Sequence, residues 1–289
     1  MNAWILALRP KTLPASISPI LVANALGWNT DYNWLVAVLT MLTALTLQIA
    51  VNFANDYFDF KSGVDTAERL GPQRATQSGL ILPQHMRMAT FGTLGLAIVW
   101  AVGLMIEGGL PIILLALAST IAVLWYSGGP WPLASVGLGE IVVFLFFGWA
   151  AVLGTEFLHT EQLSLSGWWL GTQLGLISAA IMLVNNIRDH NTDSQAGKRT
   201  LAVRIGLTRS HSLYRFLLIT PFFMQALAFI VTGSSVAAVL PFLTAPIMIR
   251  LIRQMGERQG EALNSQLAET ARLLALFSLT LTIGIIIGS

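Results

Sequence analysis

The chain has 289 residues, of which 55% are hydrophobic and 10% are charged; its formal net charge is +2 and its mean hydropathy is +0.70. An ordinary soluble domain has roughly 25% charged residues, so this composition excludes a soluble globular protein and indicates a chain that lies mostly in lipid. Cysteine is absent, which excludes a disulfide framework and a thiolate metal site and leaves oxygen and histidine as the metal ligands.

Predicted membrane spans follow one another along the whole chain. A bilayer core needs about 20 mostly apolar residues per helix, and the connectors between such segments are too short for a soluble domain. We therefore predict an all-α, polytopic membrane protein with about nine transmembrane helices in a single domain, 1–289. The predicted spans are 13–28, 33–55, 86–106, 110–126, 136–156, 168–188, 212–231, 234–252 and 268–288.

Lys and Arg are distributed unevenly between the two ends of these spans. All 16 basic residues flank the same ends, beginning with Arg9 and Lys11 before the first span. Cytoplasmic loops collect Lys and Arg, so we predict a cytoplasmic N-terminus, an external C-terminus and a place in the cell (inner) membrane. Topology alone is a sufficient reason for any single basic residue to lie there.

The second span ends in a series of amide and carboxylate residues. They recur at steps of three and four, so a helix places them on one face. Polar side chains are expensive in hydrocarbon unless they line a cavity or find partners, and this face therefore predicts a cavity wall. Its residues are Gln48, Asn52, Asn55, Asp56 and Asp59.

The sixth span ends in a similar pattern. Asn185, Asp189 and Asp193 are spaced by four, and Asn186 joins the same face. Four spans lead from the second helix to the sixth, and an even number of spans preserves the direction of the chain. Both acidic motifs are therefore expected at the cytoplasmic side.

A single Asp at such a boundary is usually a solvated helix end. Several carboxylates at helix C-termini need a counter-cation, because each meets the negative end of the helix dipole at a cost of about 0.3–1 kcal/mol. Mg²⁺ suits carboxylates, amides, water and substrate phosphate oxygens; Ca²⁺ and Mn²⁺ accept the same ligand types. Basic residues follow each motif, which favours a diphosphate site. They are Lys61, Arg69 and Arg74, then Lys198, Arg199 and Arg204.

These two motifs resemble those of the UbiA superfamily of intramembrane aromatic prenyltransferases. The first family motif is Asn-Asp-x-x-Asp-x-x-x-Asp, and the second is Asp-x-x-x-Asp near the end of helix 6. Asn55, Asp56 and Asp59 match the first motif. Asp189 and Asp193 match the second.

One position departs from the first family motif. Its third Asp is replaced by Gly63, and Asp65 lies two residues further on. This pattern is similar to the branch that prenylates 1,4-dihydroxy-2-naphthoate, which the chain resembles over nearly its whole length. Further stretches that resemble this branch are 8–14, 69–74, 128–130, 137–140 and 185–201.

The resemblance implies a fold, a reaction and its partners. About nine helices would surround a central cavity that opens sideways to the bilayer, with the active site at the cytoplasmic end. The implied cofactor is Mg²⁺, the donor is a long all-trans polyprenyl diphosphate and the acceptor is 1,4-dihydroxy-2-naphthoate; no nucleic acid is implied. The naphthoate would lose its carboxylate as carbon dioxide, giving demethylmenaquinone in menaquinone biosynthesis.

The expected site residues follow from the motifs and the resemblance together. Asp56 is expected to be either a further ligand or a catalytic group that orients one. The expected metal ligands are Asn55, Asp59, Asp189 and Asp193. The three Asp residues among them are also expected to be catalytic. The expected contacts with diphosphate or acceptor are Arg9, Asn52, Arg69, Arg74 and Lys198.

Further candidates lie where the fourth span ends and the fifth begins. Tyr126 and Ser127 match the place where related enzymes put polar residues beside the reacting C1 carbon, so Tyr126 is expected to be catalytic and Ser127 to bind substrate. The alternative for Tyr126 is an interfacial anchor beside Trp125 and Trp131. Glu140 needs a polar partner so close to hydrocarbon, which favours a substrate-binding role in the cavity.

Two other functional interpretations fit parts of this pattern. A cation transporter or channel also carries acids in membrane helices, but transporters tend to bind ions near the midplane, whereas these acids crowd one end of the spans. Among prenyltransferases, the alternatives are ubiquinone-type, chlorophyll- or tocopherol-type and haem-type acceptors. The two Arg residues and the Gly-Pro corner in 69–74 favour a carboxylated acceptor.

Overall fold

A computed structural model of the chain describes residues 2–28, 30, 32–63, 70–232 and 235–288. The described residues form helices joined by turns and short loops, and no strand occurs among them. The α-helices are α1 (Ala3–Leu8), α2 (Leu13–Leu26), α3 (Trp34–Lys61), α4 (Pro83–Ser127), α5 (Gly139–Phe144), α6 (Ala151–Thr160), α7 (Leu165–Arg188), α8 (His190–Gln195), α9 (Leu201–Ile205), α10 (Leu207–Thr232), α11 (Val236–Val239), α12 (Ala245–Gln254) and α13 (Leu263–Gly288).

The long apolar helices confirm the predicted all-α membrane fold. In the described part of the chain, seven helical segments are long and apolar enough to cross a bilayer. The 45-residue α4 contains two of the predicted spans, because Gly109 is non-helical (φ 60°, ψ −148°) and Pro111 has no backbone N–H to donate. Helix α2, with 14 residues, is shorter than a full span. When α4 is counted as two spans and α2 is added as a short one, the described helices agree with the predicted number of about nine.

Several predicted boundaries are wrong by a few residues. Hydropathy marks the part of a helix that lies in hydrocarbon, whereas the backbone hydrogen bonds continue beyond it. Helix α3 therefore continues through the first acidic motif to Lys61, and α10 and α13 begin before their predicted starts, at Leu207 and Leu263. The predicted span 234–252 is also interrupted by a 3₁₀ segment, Leu240–Thr244.

Helix α7 is the centre of the bundle. Of its most apolar segment 67% is buried, against 17% in α4. A π-helical segment, Leu145–Ala150, approaches it closely: a Cβ added at Gly148 would lie 2.5 Å from the Gly171 carbonyl oxygen. Because α7 is held on several sides by packing, the second acidic motif at its C-terminal end has a well-defined position.

The first acidic motif lies at the end of α3, which packs along α4. Ala75 and Thr76, which precede α4, lie against this end, and α1 packs against the same part of α3. The C-terminal ends of α3 and α7 thus face one cavity, as the even number of intervening spans predicts.

Candidate active site

A cavity of about 400 Å³ lies among α2, α3, α4, the segment Gly139–Thr160 and α7. Thr40 and Asp59 of α3 both line it, and the helical rise between them is about 28 Å. The charged residues that line it gather at the end formed by the two acidic motifs: Arg9, Lys11, Asp59, Arg74, Asp189, Asp193 and Lys198. The opposite end is apolar, with Ala101, Leu104, Ile112, Leu115 and Leu158.

The first acidic motif presents two of its residues to the cavity. The Ser127 hydroxyl donates to Asn55 Oδ1 at 2.5 Å, and both side chains line the wall. Arg74 Nη2 donates to Asp59 Oδ2 at 2.6 Å, with the two side chains 5% and 13% exposed. An ion pair so shielded from water is screened little by salt. Asn55 and Asp59 therefore line one cavity, and Asp59 is paired there with a guanidinium from the following loop.

Asp56, between them in sequence, lies behind this wall. Its side chain is 1% exposed, and its two carboxylate oxygens accept the backbone N–H groups of Ala75 at 3.0 Å and Thr76 at 2.9 Å. These bonds hold the loop that carries Arg74 against α3. Of the two predicted roles for Asp56, the geometry favours the orienting one.

The second acidic motif pairs each of its carboxylates with a basic neighbour. Arg188 donates to Asp189 through Nε at 2.8 Å and through Nη2 at 2.6 Å. Lys198 Nζ lies 3.9 Å from Asp193 Oδ1. The Arg188 side chain is only 2% exposed, so Arg188 and Asp189 form a buried ion pair.

Arg9 lines the cavity from an unusual backbone position. Its φ of 54° is in the left-handed region, which costs a non-glycine residue about 1–2 kcal/mol. The Asn52 amide donates to the Leu8 carbonyl at 2.8 Å and to Thr12 Oγ1 at 3.0 Å, on either side of this turn. Asn52 lines the cavity as predicted, but its amide hydrogens hold the Arg9 turn.

Tyr126 lines the cavity, and Glu140 lies behind another residue that lines it. The Tyr126 hydroxyl donates to Met182 Sδ at 3.0 Å. Glu140 is 5% exposed, and its Oε1 accepts from Asn186 Nδ2 at 2.8 Å. Asn186 itself lines the wall, so Asn186 is the contact through which Glu140 is joined to the cavity surface.

Residues 16–283 match the family model described as the UbiA prenyltransferase family. A protein of Escherichia coli (strain K12), "1,4-dihydroxy-2-naphthoate octaprenyltransferase", is 35% identical over 99% of this chain and 96% of its own length. The chain belongs to the UbiA prenyltransferase family. A Mycobacterium leprae relative of the same name is 32% identical over 96% of this chain and 93% of its own length.

Solved UbiA structures share the fold. A UbiA homolog from Archaeoglobus fulgidus, bound to GPP and Mg²⁺, superposes with a TM-score of 0.73 at 18% identity, covering 98% of this chain and 99% of that one. An apo UbiA homolog from Aeropyrum pernix K1 gives a TM-score of 0.72 at 16% identity, covering 96% and 98%. The predicted UbiA-like arrangement of helices around a cavity is therefore confirmed.

The donor atoms of this UbiA site are compatible with magnesium. Within the described residues, no three acidic or histidine side chains are grouped closely enough to hold a metal by themselves. Mg²⁺, however, is commonly held by one or two carboxylates, water and substrate phosphates rather than by a complete protein cage. Four predicted ligands, Asn55, Asp59, Asp189 and Asp193, all line the one cavity, and their role as ligands stays a prediction.

Two residues named from the sequence, Arg69 and Asp65, lie outside the described residues. Two other residues of the cavity could not be identified from the sequence alone. Thr12 and Met182 line the cavity without having been predicted. Neither carries a local signal, because a lone Thr before a span and a lone Met within one are ordinary membrane-helix residues; only their tertiary contacts give them a role.

Proposed function

We propose that this chain transfers a polyprenyl group from a polyprenyl diphosphate to 1,4-dihydroxy-2-naphthoate, with loss of carbon dioxide, in a magnesium-dependent step of menaquinone biosynthesis. The observation that carries the proposal is the division of one cavity into a charged end and a long apolar end. A polyprenyl diphosphate is divided in the same way, into a charged diphosphate head and a hydrocarbon tail. The names of the Escherichia coli and Mycobacterium leprae relatives support the acceptor.

The charged end would bind the diphosphate. Asn55, Asp59, Asp189 and Asp193 would hold Mg²⁺, which supplies positive charge that stabilises a departing diphosphate. Arg9, Arg74 and Lys198 line the same end and would donate hydrogen bonds to its oxygens. Such preorganised charge is usually the largest single contribution to catalysis.

The reaction then breaks one bond to the diphosphate and forms one carbon–carbon bond. The prenyl C1–O bond breaks with both electrons on the diphosphate oxygen, and the allylic carbon accepts an electron pair from the naphthoate carbon that bears the carboxylate. The bond to the carboxylate breaks next, its electron pair returns to the ring and carbon dioxide leaves. The apolar walls exclude water, which would otherwise capture the allylic cation.

Two groups of residues would position the acceptor. Arg74, on the loop over the first motif, is a candidate partner for the naphthoate carboxylate, and Arg69 is a second. Tyr126 and Ser127 line the wall next to Asn55, where the reacting C1 carbon would lie. Glu140 would act indirectly: its carboxylate accepts a hydrogen bond from Asn186 and so holds the Asn186 side chain in the cavity wall.

The charged end is proposed to face the cytoplasm of the cell membrane, with the N-terminus inside and the C-terminus outside. All 16 basic residues flank this side of the spans, and cytoplasmic loops collect Lys and Arg.

Purified protein in lipid nanodiscs should be assayed with a labelled polyprenyl diphosphate and a panel of aromatic acceptors. With carboxyl-labelled 1,4-dihydroxy-2-naphthoate, we expect one labelled carbon dioxide for each prenylated product. Preference for 4-hydroxybenzoate, or a product that keeps its carboxylate, would contradict the acceptor assignment. Transfer to no aromatic acceptor at all would contradict the prenyltransferase assignment.

The apolar end of the cavity can be tested separately. Ala101 is 5% exposed and lines the cavity, whereas its neighbour Val102 is 46% exposed. Ala101→Trp should obstruct the tail and lower kcat/KM for a long donor about tenfold or more, while a geranyl donor is used nearly normally; Val102→Trp is the matched control. Equal losses with long and short donors would show that the tail does not occupy this end.

A further inference from the structure

Residues 70–76, here called the bridging segment, contact the first acidic motif and Arg188, the arginine that pairs with Asp189 of the second. The C-terminal half of this segment holds the first motif, through the pair between Arg74 and Asp59 and through the backbone N–H groups of Ala75 and Thr76, which donate to Asp56. One short stretch of chain therefore engages two acids of the first motif at once.

The N-terminal half of the bridging segment is held by a residue of the last helix. Asn264, the second residue of α13, donates from Nδ2 to the Leu70 carbonyl oxygen at 3.0 Å. The same amide accepts at Oδ1 from Arg188 Nη1 at 2.8 Å. Asn264 thus joins the backbone of the bridging segment to the arginine that pairs with Asp189.

Arg188 distributes its guanidinium over the second motif. Besides its two bonds to Asp189, its Nη2 donates to Asn185 Oδ1 at 2.7 Å. Gly71 of the bridging segment lies against the same guanidinium: a Cβ there would be 2.6 Å from Arg188 Nη2. A side chain at residue 71 would therefore force this guanidinium, which holds four hydrogen bonds, to shift.

We propose that Asn264 is a positioning residue that couples the bridging segment to Arg188 and so holds the two acidic motifs in one arrangement. Its amide group is suited to this because it donates and accepts at the same time. Asn near a helix start usually caps its own helix, whereas this one makes its contacts with two other parts of the chain. The consequence for diphosphate binding rests on the proposed function; the coupling itself does not.

Two variants separate the two contacts of Asn264. Asn264→Leu has a similar volume and loses both contacts. Asn264→Asp keeps an acceptor for Arg188 and loses the donor to Leu70, and a carboxylate in the first turn of a helix is compatible with its dipole. Ser265→Ala is the matched control, because Ser265 is exposed and its hydroxyl bonds only to the Ala262 carbonyl within the described contacts.

Hydrogen–deuterium exchange of the full chain in nanodiscs, without substrate, tests the coupling. Exchange at the amides of Ala75 and Thr76 should be about tenfold faster in Asn264→Leu and in Asn264→Asp than in Ser265→Ala, as expected when a hydrogen bond that holds the segment is lost. Exchange as slow as in the control would overturn the coupling. Because no substrate is present, this result does not depend on which reaction the protein catalyses.

The kinetic part uses the donor that the wild-type protein turns over. Both Asn264 variants should raise KM for the prenyl diphosphate about tenfold, with a smaller change in kcat, because a positioning contact acts on the bound ground state as well as the transition state. Faster exchange with an unchanged KM would overturn the positioning role.

Gly71→Ala changes the other side of the contact and should also give faster exchange at Ala75 and Thr76 and a higher KM. Absence of prenyl transfer in the wild-type protein would instead count against the proposed function, and the exchange result would stand.

Discussion

The two acidic motifs have similar residues and similar places at helix ends, but different partners hold them. The partners of Asp56 and Asp59 come from a loop 15 to 20 residues further along the chain. The partner of Asp189 is the adjacent Arg188, held in the well-packed end of α7. Asp189 is thus paired within its own stretch of chain, whereas Asp56 and Asp59 depend on a loop that must fold back over α3. Two sites with the same chemistry can therefore differ in how their geometry is maintained.

The largest expected effect comes from removing one carboxylate charge at either motif. Asp59→Asn and Asp189→Asn should each lower kcat/KM at least about a thousandfold, because a metal ion contributes several kcal/mol and each 1.36 kcal/mol is a factor of ten. Both variants keep the shape of the side chain and an oxygen that can accept from the neighbouring arginine, so they should still insert and fold. Radiolabelled prenyl transfer at saturating magnesium provides the measurement, and near-normal turnover in either variant would refute its assignment as a ligand.

A smaller effect should distinguish the basic partners of the two motifs. Arg74→Met should lower kcat/KM by about 10- to 100-fold, because it leaves a buried carboxylate without its close partner. Lys198→Met should cost less, because its Nζ lies 3.9 Å from Asp193 and its side chain is 17% exposed. The control is Arg199→Met, since Arg199 is exposed. A larger loss in Lys198→Met than in Arg74→Met would reverse the comparison.

The smallest expected effect on magnesium dependence is that of Asp56→Asn. An amide at this position retains one oxygen for the Ala75 and Thr76 N–H groups and faces them with an NH₂ group. We expect a loss of about 1–3 kcal/mol in the free energy of unfolding, with the magnesium concentration for half-maximal rate unchanged. Asp59→Asn is the matched comparison, because there the magnesium concentration for half-maximal rate should rise. A large shift in magnesium dependence in Asp56→Asn would make Asp56 a ligand after all.

Helical periodicity could predict which face of α3 lines the cavity. Gln48, Asn52, Asn55 and Asp59 recur at helical spacing, and the structure places all four on the cavity wall. The direction of α7 relative to α3 was also predictable, because it depends only on the number of spans between them. The all-α membrane fold followed from composition, and the family from the two motifs.

Partners supplied by distant parts of the chain were not predictable in this way. Asp56 has the same helical spacing as its neighbours, yet its oxygens bond to loop N–H groups whose position depends on tertiary folding. Asn52, a predicted substrate contact that lines the cavity, also binds the Leu8 carbonyl. This partner was not predictable, because α1 is too short to be recognised as a membrane span. Asn264 carried no signal for the same reason, since its two partners lie in other loops and helices.

The most direct test of the account asks whether the two motifs form one site. The dissociation constant of a non-reactive prenyl thiodiphosphate should be measured with magnesium for the wild type, Asp59→Asn, Asp189→Asn and the double variant. If one magnesium-dependent site uses both motifs, the loss in the double variant will be close to that of either single variant, and all three will match the wild type without magnesium. If the two losses instead add, as they do for independent sites, the motifs act separately and the central claim is contradicted.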